Sequence, residues 1–129
     1  MVVDSSALLA IVSDEPEARQ FSGALLRATD PLLSNVAFVE CAQALVDRFG
    51  AVGATQLDHL VHALGLRRVP VDDALASAAA DCCRSFGSGP APAWLDAGGW
   101  ISCALAHTLD RPLLFKGGDF LRTDVAVAC

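Results

Sequence analysis

The stretch MVVDSSALLAIV, residues 1–12, joins a short apolar strand to a helix through one acidic residue. Residues 2 to 4 predict a strand that stops at Asp4, and SALLAIV predicts the helix that follows. Asp4 is the only charged side chain between Met1 and Ser13. A strand that passes directly into a helix is typical of parallel α/β folds, so this stretch sets the expectation for the whole chain.

The same alternation of strand and helix continues to the end of the chain. Three further apolar stretches predict strands, PLLS (31–34), RRVPV (67–71) and PLLF (112–115), and VAVA (125–128) is a candidate fifth. The predicted helices cover residues 16–28, 35–49, 54–65, 73–87 and 99–109, with caps at Ser34 or Asn35 and at Asp72. We therefore predict a three-layer α/β/α domain around a mostly parallel sheet of four or five strands.

Length and composition favour one soluble domain over residues 1–129. The chain is 53% hydrophobic and 19% charged, which supplies a substantial core and argues against disorder. No apolar run approaches the ~20 residues that a membrane span requires, and no signal-like segment opens the sequence. We expect a cytoplasmic protein, and the absence of P-loop and Rossmann glycine patterns predicts no nucleotide cofactor.

The net charge of −6 argues against nucleic-acid binding by bulk electrostatics, because phosphate contacts require Lys and Arg. Eight of the nine basic residues are arginines and only Lys116 is a lysine, so a local arginine patch stays possible. The acidity also favours a basic protein partner.

The cysteines and histidines show no metal-binding spacing. Five cysteines without a C-x-x-C pattern predict buried free thiols: Cys41, Cys82, Cys83, Cys103 and Cys129. His59 and His62 lie three apart on a predicted helix, but no third ligand is near them in sequence, and His107 has no partner that the sequence identifies.

Three carboxylates follow or lie near the carboxyl ends of predicted strands, where α/β sheets collect functional groups. Asp4 ends the first strand, Glu40 follows the second, and Asp119 follows the fourth. Each has a simpler explanation: Asp4 and Asp119 as helix caps, and Glu40 as a surface residue. Together they indicate a Mg²⁺ or Mn²⁺ site, because these ions take carboxylate oxygens and a charge among apolar residues needs a partner.

Three stretches make the interpretation more specific: MVVDSSALLAIV, SNVAFVECA (34–42) and PLLFKGGDFLRTDV (112–125). They resemble the PIN-domain ribonucleases, in particular the VapC toxins of bacterial VapBC toxin-antitoxin pairs. The resemblance implies a PIN-like fold and an endoribonuclease in which Asp4, Glu40 and Asp119 hold Mg²⁺ or Mn²⁺. It also implies Asp124 as a peripheral ligand and Ser6 as a support for Asp4.

The resemblance further implies partners. VapC-like toxins form homodimers, cleave RNA, and are inhibited by a VapB antitoxin whose C-terminal segment lies in the acidic cleft. An arginine from such a segment suits a cluster of carboxylates, because a guanidinium can bridge two of them.

One position departs from the family pattern. Family members usually carry LNFGD or a similar phrase before an apolar helix, and this chain reads LDAGG at residues 95–99. Gly99 therefore stands where a metal-binding Asp is expected, and Gly98 is the glycine that belongs to the pattern. Asp96 either reaches the same ion, or caps the helix by accepting backbone N–H bonds, and the cap is the favoured alternative.

These residues leave two functions open. The first is a metal-dependent endoribonuclease, impaired by Gly99, and the second is a catalytically degenerate PIN domain that binds an antitoxin or RNA without cutting. A phosphatase that uses Asp4 as nucleophile is disfavoured, because Ser5 and Ser6 follow it without a second acid two residues on.

Overall fold

The computed structural model describes all of residues 1–129 and contains one four-stranded parallel sheet. The strands are β1 (Val2–Val3), β2 (Leu32–Ser34), β3 (Arg67–Val69) and β4 (Leu113–Leu114), in the order β3-β2-β1-β4. The helices are α1 (Ser5–Val12), α2 (Ala18–Arg27), α3 (Asn35–Phe49), α4 (Ala51–Ala63), α5 (Asp73–Phe86) and α6 (Ala97–Leu109). A 3₁₀ turn spans Asp119–Arg122.

The sheet is covered on both faces, which confirms the predicted α/β/α layering. Consecutive side chains of a strand point to opposite faces, so even two-residue strands contribute to two cores. One core packs the sheet against α5 and α6, and the other packs it against α1 to α4. The six central strand residues are essentially inaccessible, Val2, Leu32 and Leu113 in the first core and Val3, Leu33 and Leu114 in the second.

Side-chain caps fix the start of several helices. The Ser34 hydroxyl accepts a 3.0 Å bond from Ala37 N and begins α3, as predicted. The Asp72 carboxylate accepts a 2.8 Å bond from Leu75 N and begins α5. Two helices begin earlier than predicted, α4 at residue 51 instead of 54 and α6 at residue 97 instead of 99. Each begins directly after its N-cap residue, Gly50 for α4 and Asp96 for α6.

The candidate fifth strand, residues 125–128, forms a single bridge instead of a strand. Val127 pairs in parallel with Leu113. The backbone of Leu113 donates a 2.8 Å bond to Ala126 O and accepts a 3.0 Å bond from Ala128 N, the two neighbours of Val127. The central sheet therefore has four strands, the lower of the two numbers predicted. β4 is only two residues long, which leaves little backbone for a longer ladder.

The cysteines are all free, and their burial was predicted only in part. Cys41, Cys82 and Cys103 are buried, whereas Cys83 and Cys129 are exposed. Cys83 follows Cys82 on α5, and successive helical residues point in different directions, so only one of the pair can face the core. None of the helices is long and apolar enough to span a bilayer.

Candidate active site

A cleft opens at the carboxyl edge of the sheet and brings three acidic residues together. Asp4 lies directly after β1, Asp96 directly before α6, and Asp119 at the start of the 3₁₀ turn. All three line the same cleft, together with Ser6 and Gly99 among others. Glu40, from α3, contacts the same region through Ser5 and Gly98. Four carboxylates from four separate parts of the chain therefore converge on one edge of the sheet.

Asp4 serves as a helix cap and still leaves one oxygen unpaired. Its Oδ2 accepts bonds from Ser6 N at 3.0 Å and from Ser6 Oγ at 2.6 Å. Its Oδ1 is buried and has no hydrogen-bond partner. Capping and ligation are thus compatible in this residue, because each uses a different oxygen. A buried carboxylate oxygen without a donor is a position where a cation is expected.

Ser6 holds Asp4 and connects it to the segment that follows β4, the strand beside β1 in the sheet. The Ser6 hydroxyl donates to Asp4 and accepts a 3.0 Å bond from the backbone N–H of Lys116, which follows β4 by two residues. This contact gives Ser6 the supporting geometry that the sequence resemblance implies. It ties the cap of α1 to the segment that leads to Asp119.

Glu40 is half-buried, and its charge is disfavoured where it stands. Burial raises the pKa of Glu40, and the neighbouring Asp96 and Asp4 carboxylates raise it further against the opposing effect of a Ser5 hydrogen bond. Its Oε2 is a second buried oxygen without a hydrogen-bond partner. The site thus contains two unsatisfied carboxylate oxygens that a bound cation would neutralise.

Gly98 is required by the position of Glu40. A Cβ at residue 98 would lie 1.9 Å from Glu40 Oε1 and 2.4 Å from Oε2, so a side chain fits there only if the Glu40 carboxylate moves away. The first of the two consecutive glycines therefore allows close approach of the Glu40 carboxylate to the α6 backbone. This explains why glycine stands in the first turn of a helix despite its low helix propensity.

Gly99 has a different environment. Asp96 Oδ1 accepts a 2.8 Å bond from Gly99 N. Asp96 therefore caps α6, which is the alternative that the sequence analysis favours. A Cβ on Gly99 would lie 3.0 Å from Leu95 Cβ and 3.3 Å from Asp96 Oδ1, a tight fit that small shifts would relieve. No contact of the kind made by Gly98 demands glycine at residue 99.

Two charged residues, Asp124 and Lys116, are paired with side chains outside the cleft, although the family resemblance implies Asp124 as a peripheral ligand. Asp124 does not line the cleft; its Oδ1 lies 2.5 Å from Nε2 of His107, on the α6 side of the sheet. Lys116 does line the cleft, but its ammonium group is paired with Glu15 and, at 3.2 Å, with Glu17. The only lysine of the chain therefore does not neutralise the cleft carboxylates. No spacing rule predicts these pairs, because their partners come from distant parts of the sequence.

The four-stranded parallel sheet with acidic residues at its carboxyl edge is the arrangement of a PIN domain, and the PIN domain family model matches residues 1–126. Within that class the chain belongs to the VapC ribonuclease family. It is 40% identical to ribonuclease VapC30 of Mycobacterium tuberculosis over 126 residues, which cover 98% of this chain and 96% of that protein. It is 42% identical to ribonuclease VapC of Mycolicibacterium smegmatis over 128 residues, which cover 98% of each chain.

Solved structures agree with this fold. The crystal structure of Mycobacterium tuberculosis VapC20, described as a toxin that cleaves the sarcin-ricin loop, superposes with a TM-score of 0.78 at 16% identity, covering 97% of this chain and 95% of that one. A toxin-antitoxin complex from Klebsiella pneumoniae superposes with a TM-score of 0.72 at 16% identity, covering 98% and 94%.

Proposed function

We propose that this chain is a VapC-type endoribonuclease that depends on Mg²⁺ or Mn²⁺, with Asp4, Glu40 and Asp119 as the residues that hold the ion. The observation that carries the proposal is the pair of buried, unpartnered oxygens, Asp4 Oδ1 in the acidic cleft and Glu40 Oε2 next to it, close enough for the Asp4 and Asp96 carboxylates to raise the pKa of Glu40 beyond the effect of burial. All the donors are oxygens, which suits Mg²⁺ and Mn²⁺ better than softer metals. A divalent ion bound there stabilises the negative charge that develops on a phosphodiester during hydrolysis.

The chain's own residues position the carboxylates. Ser6 holds Asp4 Oδ2, so that Oδ1 is the oxygen left for an ion. Gly98 admits Glu40, and the raised pKa of Glu40 means that its proton must leave before it can act as a ligand. Asp119 is exposed on the 3₁₀ turn and reaches the cleft from the solvent side. Ion binding should therefore strengthen as pH rises through the pKa of Glu40.

We further propose that Gly99 weakens this activity. At that residue the family resemblance implies another carboxylate ligand, and the chain offers none. Asp96 lines the cleft, but one of its oxygens is committed to the cap of α6. The remaining ligands should bind the ion less firmly, and cleavage should be slow compared with that of a chain carrying Asp at residue 99.

The test is cleavage of a random-sequence RNA pool at sub-millimolar Mg²⁺ by the parent chain, Gly99→Asp and Asp96→Asn. Gly99→Asp should cut at least about 10-fold faster, the lower end of the effect of disturbing a metal site. Asp96→Asn keeps a capping side chain and removes the charge, so its rate should match that of the parent. Equal rates for the parent and Gly99→Asp, together with a slow Asp96→Asn, would show that Asp96 is the ligand instead.

Glu40→Gln controls for contaminating nuclease, because it keeps the size of the side chain and removes its charge. Cleavage by Glu40→Gln at the parent rate would contradict the proposed site. Absence of cleavage by the parent and by Gly99→Asp alike, across Mg²⁺ and Mn²⁺, would favour the degenerate binding module.

For partners, we propose a VapB-type antitoxin and a homodimer. The unpartnered carboxylates suit an arginine of the antitoxin, because the guanidinium donates to two carboxylates at once. Exposed apolar side chains on α3 and at the start of α4 suit burial against a second copy: Val39, Val46, Phe49 and Val52. Light scattering should give twice the chain mass, and an antitoxin that inhibits through the cleft should bind Asp4→Asn more weakly than the parent.

A further inference from the structure

A second cluster of metal-binding side chains lies between α5 and α6, and none of its residues lines the acidic cleft. Cys82 comes from α5, and Cys103 and His107 come from α6 one helical turn apart. Their donor atoms all lie within 4.8 Å of one another. Asp124, from the C-terminal segment, contacts His107 Nε2 at 2.5 Å. Two thiols, an imidazole and a carboxylate thus meet at one place without any shared sequence motif.

The cluster is partly enclosed. Cys103 is fully buried and Cys82 is 9% exposed, while the side chains of His107 and Asp124 are 35% and 63% exposed. The His107 ring stacks on Phe86 with the two ring planes 9° apart, which restricts its orientation. Such a site is open to an ion on the imidazole side and closed by the core on the thiol side.

The thiols carry no charge in the metal-free chain. Burial raises the pKa of Cys103 to about 12 and also raises that of Cys82, and the nearby Asp124 carboxylate adds to both shifts. A divalent ion reverses this balance, because it stabilises thiolates directly. Both thiols therefore stay protonated near neutral pH when no metal is bound, which argues against a nucleophilic role.

We propose that Cys82, Cys103, His107 and Asp124 form a zinc site that is separate from the acidic cleft. Zinc prefers sulfur and nitrogen ligands in tetrahedral geometry, and two thiolates at about 2.3 Å from the ion lie about 3.8 Å apart. Since the donor atoms of Cys82, Cys103 and His107 already lie within 4.8 Å of one another, closing these three around an ion requires a contraction of about 1 Å. Asp124, whose carboxylate lies beside the His107 ring, supplies the fourth donor.

The site would add metal-ligand bonds between three parts of the fold that already pack together. It would connect α5 to α6, and both helices to Asp124. Asp124 lies two residues after the 3₁₀ turn, which begins at Asp119. The role we assign to the zinc is structural, because all four donors would be protein groups and no position stays open for a substrate.

The test uses the full chain, kept reduced with a phosphine and stripped of metal with a chelator. After Zn²⁺ is added back, we expect the chain to retain one Zn²⁺ through desalting. With Co²⁺ in its place, we expect a thiolate-to-metal charge-transfer band, which oxygen ligands do not give. Zinc at a hundredfold excess over its dissociation constant should raise the melting temperature by on the order of 10 °C. A chain that shows neither retained zinc nor a thiolate band would overturn the proposal.

Matched variants identify the ligands. Cys82→Ser and His107→Gln should weaken zinc binding by at least about 100-fold, whereas Cys83→Ser, the next residue on the same helix, should bind like the parent. His107 is on the surface, so His107→Gln keeps the test valid even if a buried Cys→Ser chain fails to fold. Asp4→Asn should keep the thiolate band, which separates this site from the acidic cleft. Unchanged binding by His107→Gln, or equal loss in Cys83→Ser, would show that the ion binds elsewhere.

Discussion

Replacing Gly98 by alanine should separate metal binding from stability, because only the missing side chain at residue 98 leaves room for the Glu40 carboxylate. The added Cβ would lie 1.9 Å from Glu40 Oε1, whereas ordinary contact begins at 3.4 Å, so the carboxylate must retreat by about 1.5 Å, the difference of the two. Glu40 can do this by changing rotamer, because the clash involves the end of a flexible side chain and no backbone atom.

Two opposing contributions set the stability of this variant. Alanine is favoured over glycine inside a helix by about 0.5–1 kcal/mol, and a methyl group forced into a site that cannot adjust costs about 1–3 kcal/mol. Glu40 can adjust, and it leaves a place where burial disfavours its charge. We therefore expect the free energy of unfolding of the metal-free chain to stay within about 1 kcal/mol of the parent value.

Metal binding should respond very differently. Ligand oxygens must lie about 2.1 Å from a bound Mg²⁺, so a carboxylate displaced by about 1.5 Å no longer coordinates it. Affinity for Mn²⁺, measured by calorimetry, should fall by at least about 100-fold, and RNA cleavage should fall with it. Stability is measured on the same protein by chemical denaturation in chelator.

Gly23→Ala is the matched control for this experiment. Gly23 lies inside α2, where an added Cβ would meet only the flexible end of Arg27 at 3.3 Å, so this variant should gain stability without changing Mn²⁺ affinity. Two results would refute the reasoning. A loss of more than about 3 kcal/mol in Gly98→Ala would mean that Glu40 cannot move, and an unchanged Mn²⁺ affinity would mean that Glu40 is not a ligand.

Three further predictions concern stability. The pKa of Glu40 is raised above its usual 4.5, so the native state holds the Glu40 proton to higher pH than the unfolded state does. The free energy of unfolding of the metal-free parent should therefore fall as pH rises from 4.5 through the raised pKa. Denaturation at a series of pH values should show a weaker pH dependence for Glu40→Gln. Paired with Arg67 and Arg111, Asp30 has its pKa lowered to about 2, so its stabilisation should be present above pH 3.8 and lost as pH falls toward 2, and melting curves of Asp30→Asn should converge with those of the parent at that pH. Gly53→Ala places a Cβ 2.2 Å from the backbone oxygen of Leu45, which cannot swing away, so thermal denaturation should show a loss of at least about 1–3 kcal/mol, in contrast to Gly98→Ala.

The architecture could be predicted because short apolar stretches alternate with capped helices. Asp4, Ser34 and Asp72 each end an extended segment and begin a helix by a local hydrogen bond, and such bonds depend on residues two or three apart. The fifth strand was harder to judge, because VAVA has the composition of a strand but finds a partner only at Leu113. Strand pairing depends on what the neighbouring strand offers, which no local pattern contains.

The same reasoning about strand ends anticipated where two of the candidate carboxylates lie. Asp4 and Asp119 follow strands, and the convergence of strand ends in a parallel sheet brings them into one cleft. Cys82 and His107 lie 25 positions apart, and their approach depends on how α5 packs on α6. His59 and His62, whose spacing on α4 is visible in the sequence, are both exposed.

The two adjacent glycines show why a residue type has to be interpreted from its surroundings. Gly98 is fixed by Glu40, since any side chain there displaces a carboxylate whose own oxygen lacks a partner. Gly99 faces only Leu95 and Asp96, which can adjust, so the fold accepts glycine at residue 99 without requiring it. Burial raises the pKa of Glu40 and repulsion from Asp96 and Asp4 raises it further, and a carboxylate at residue 99 would add to that repulsion. On the proposal that a carboxylate at residue 99 would bind the ion, glycine there would relieve charge repulsion in the metal-free chain at the expense of that ligand, and would leave the remaining carboxylates open to a guanidinium as well as to an ion.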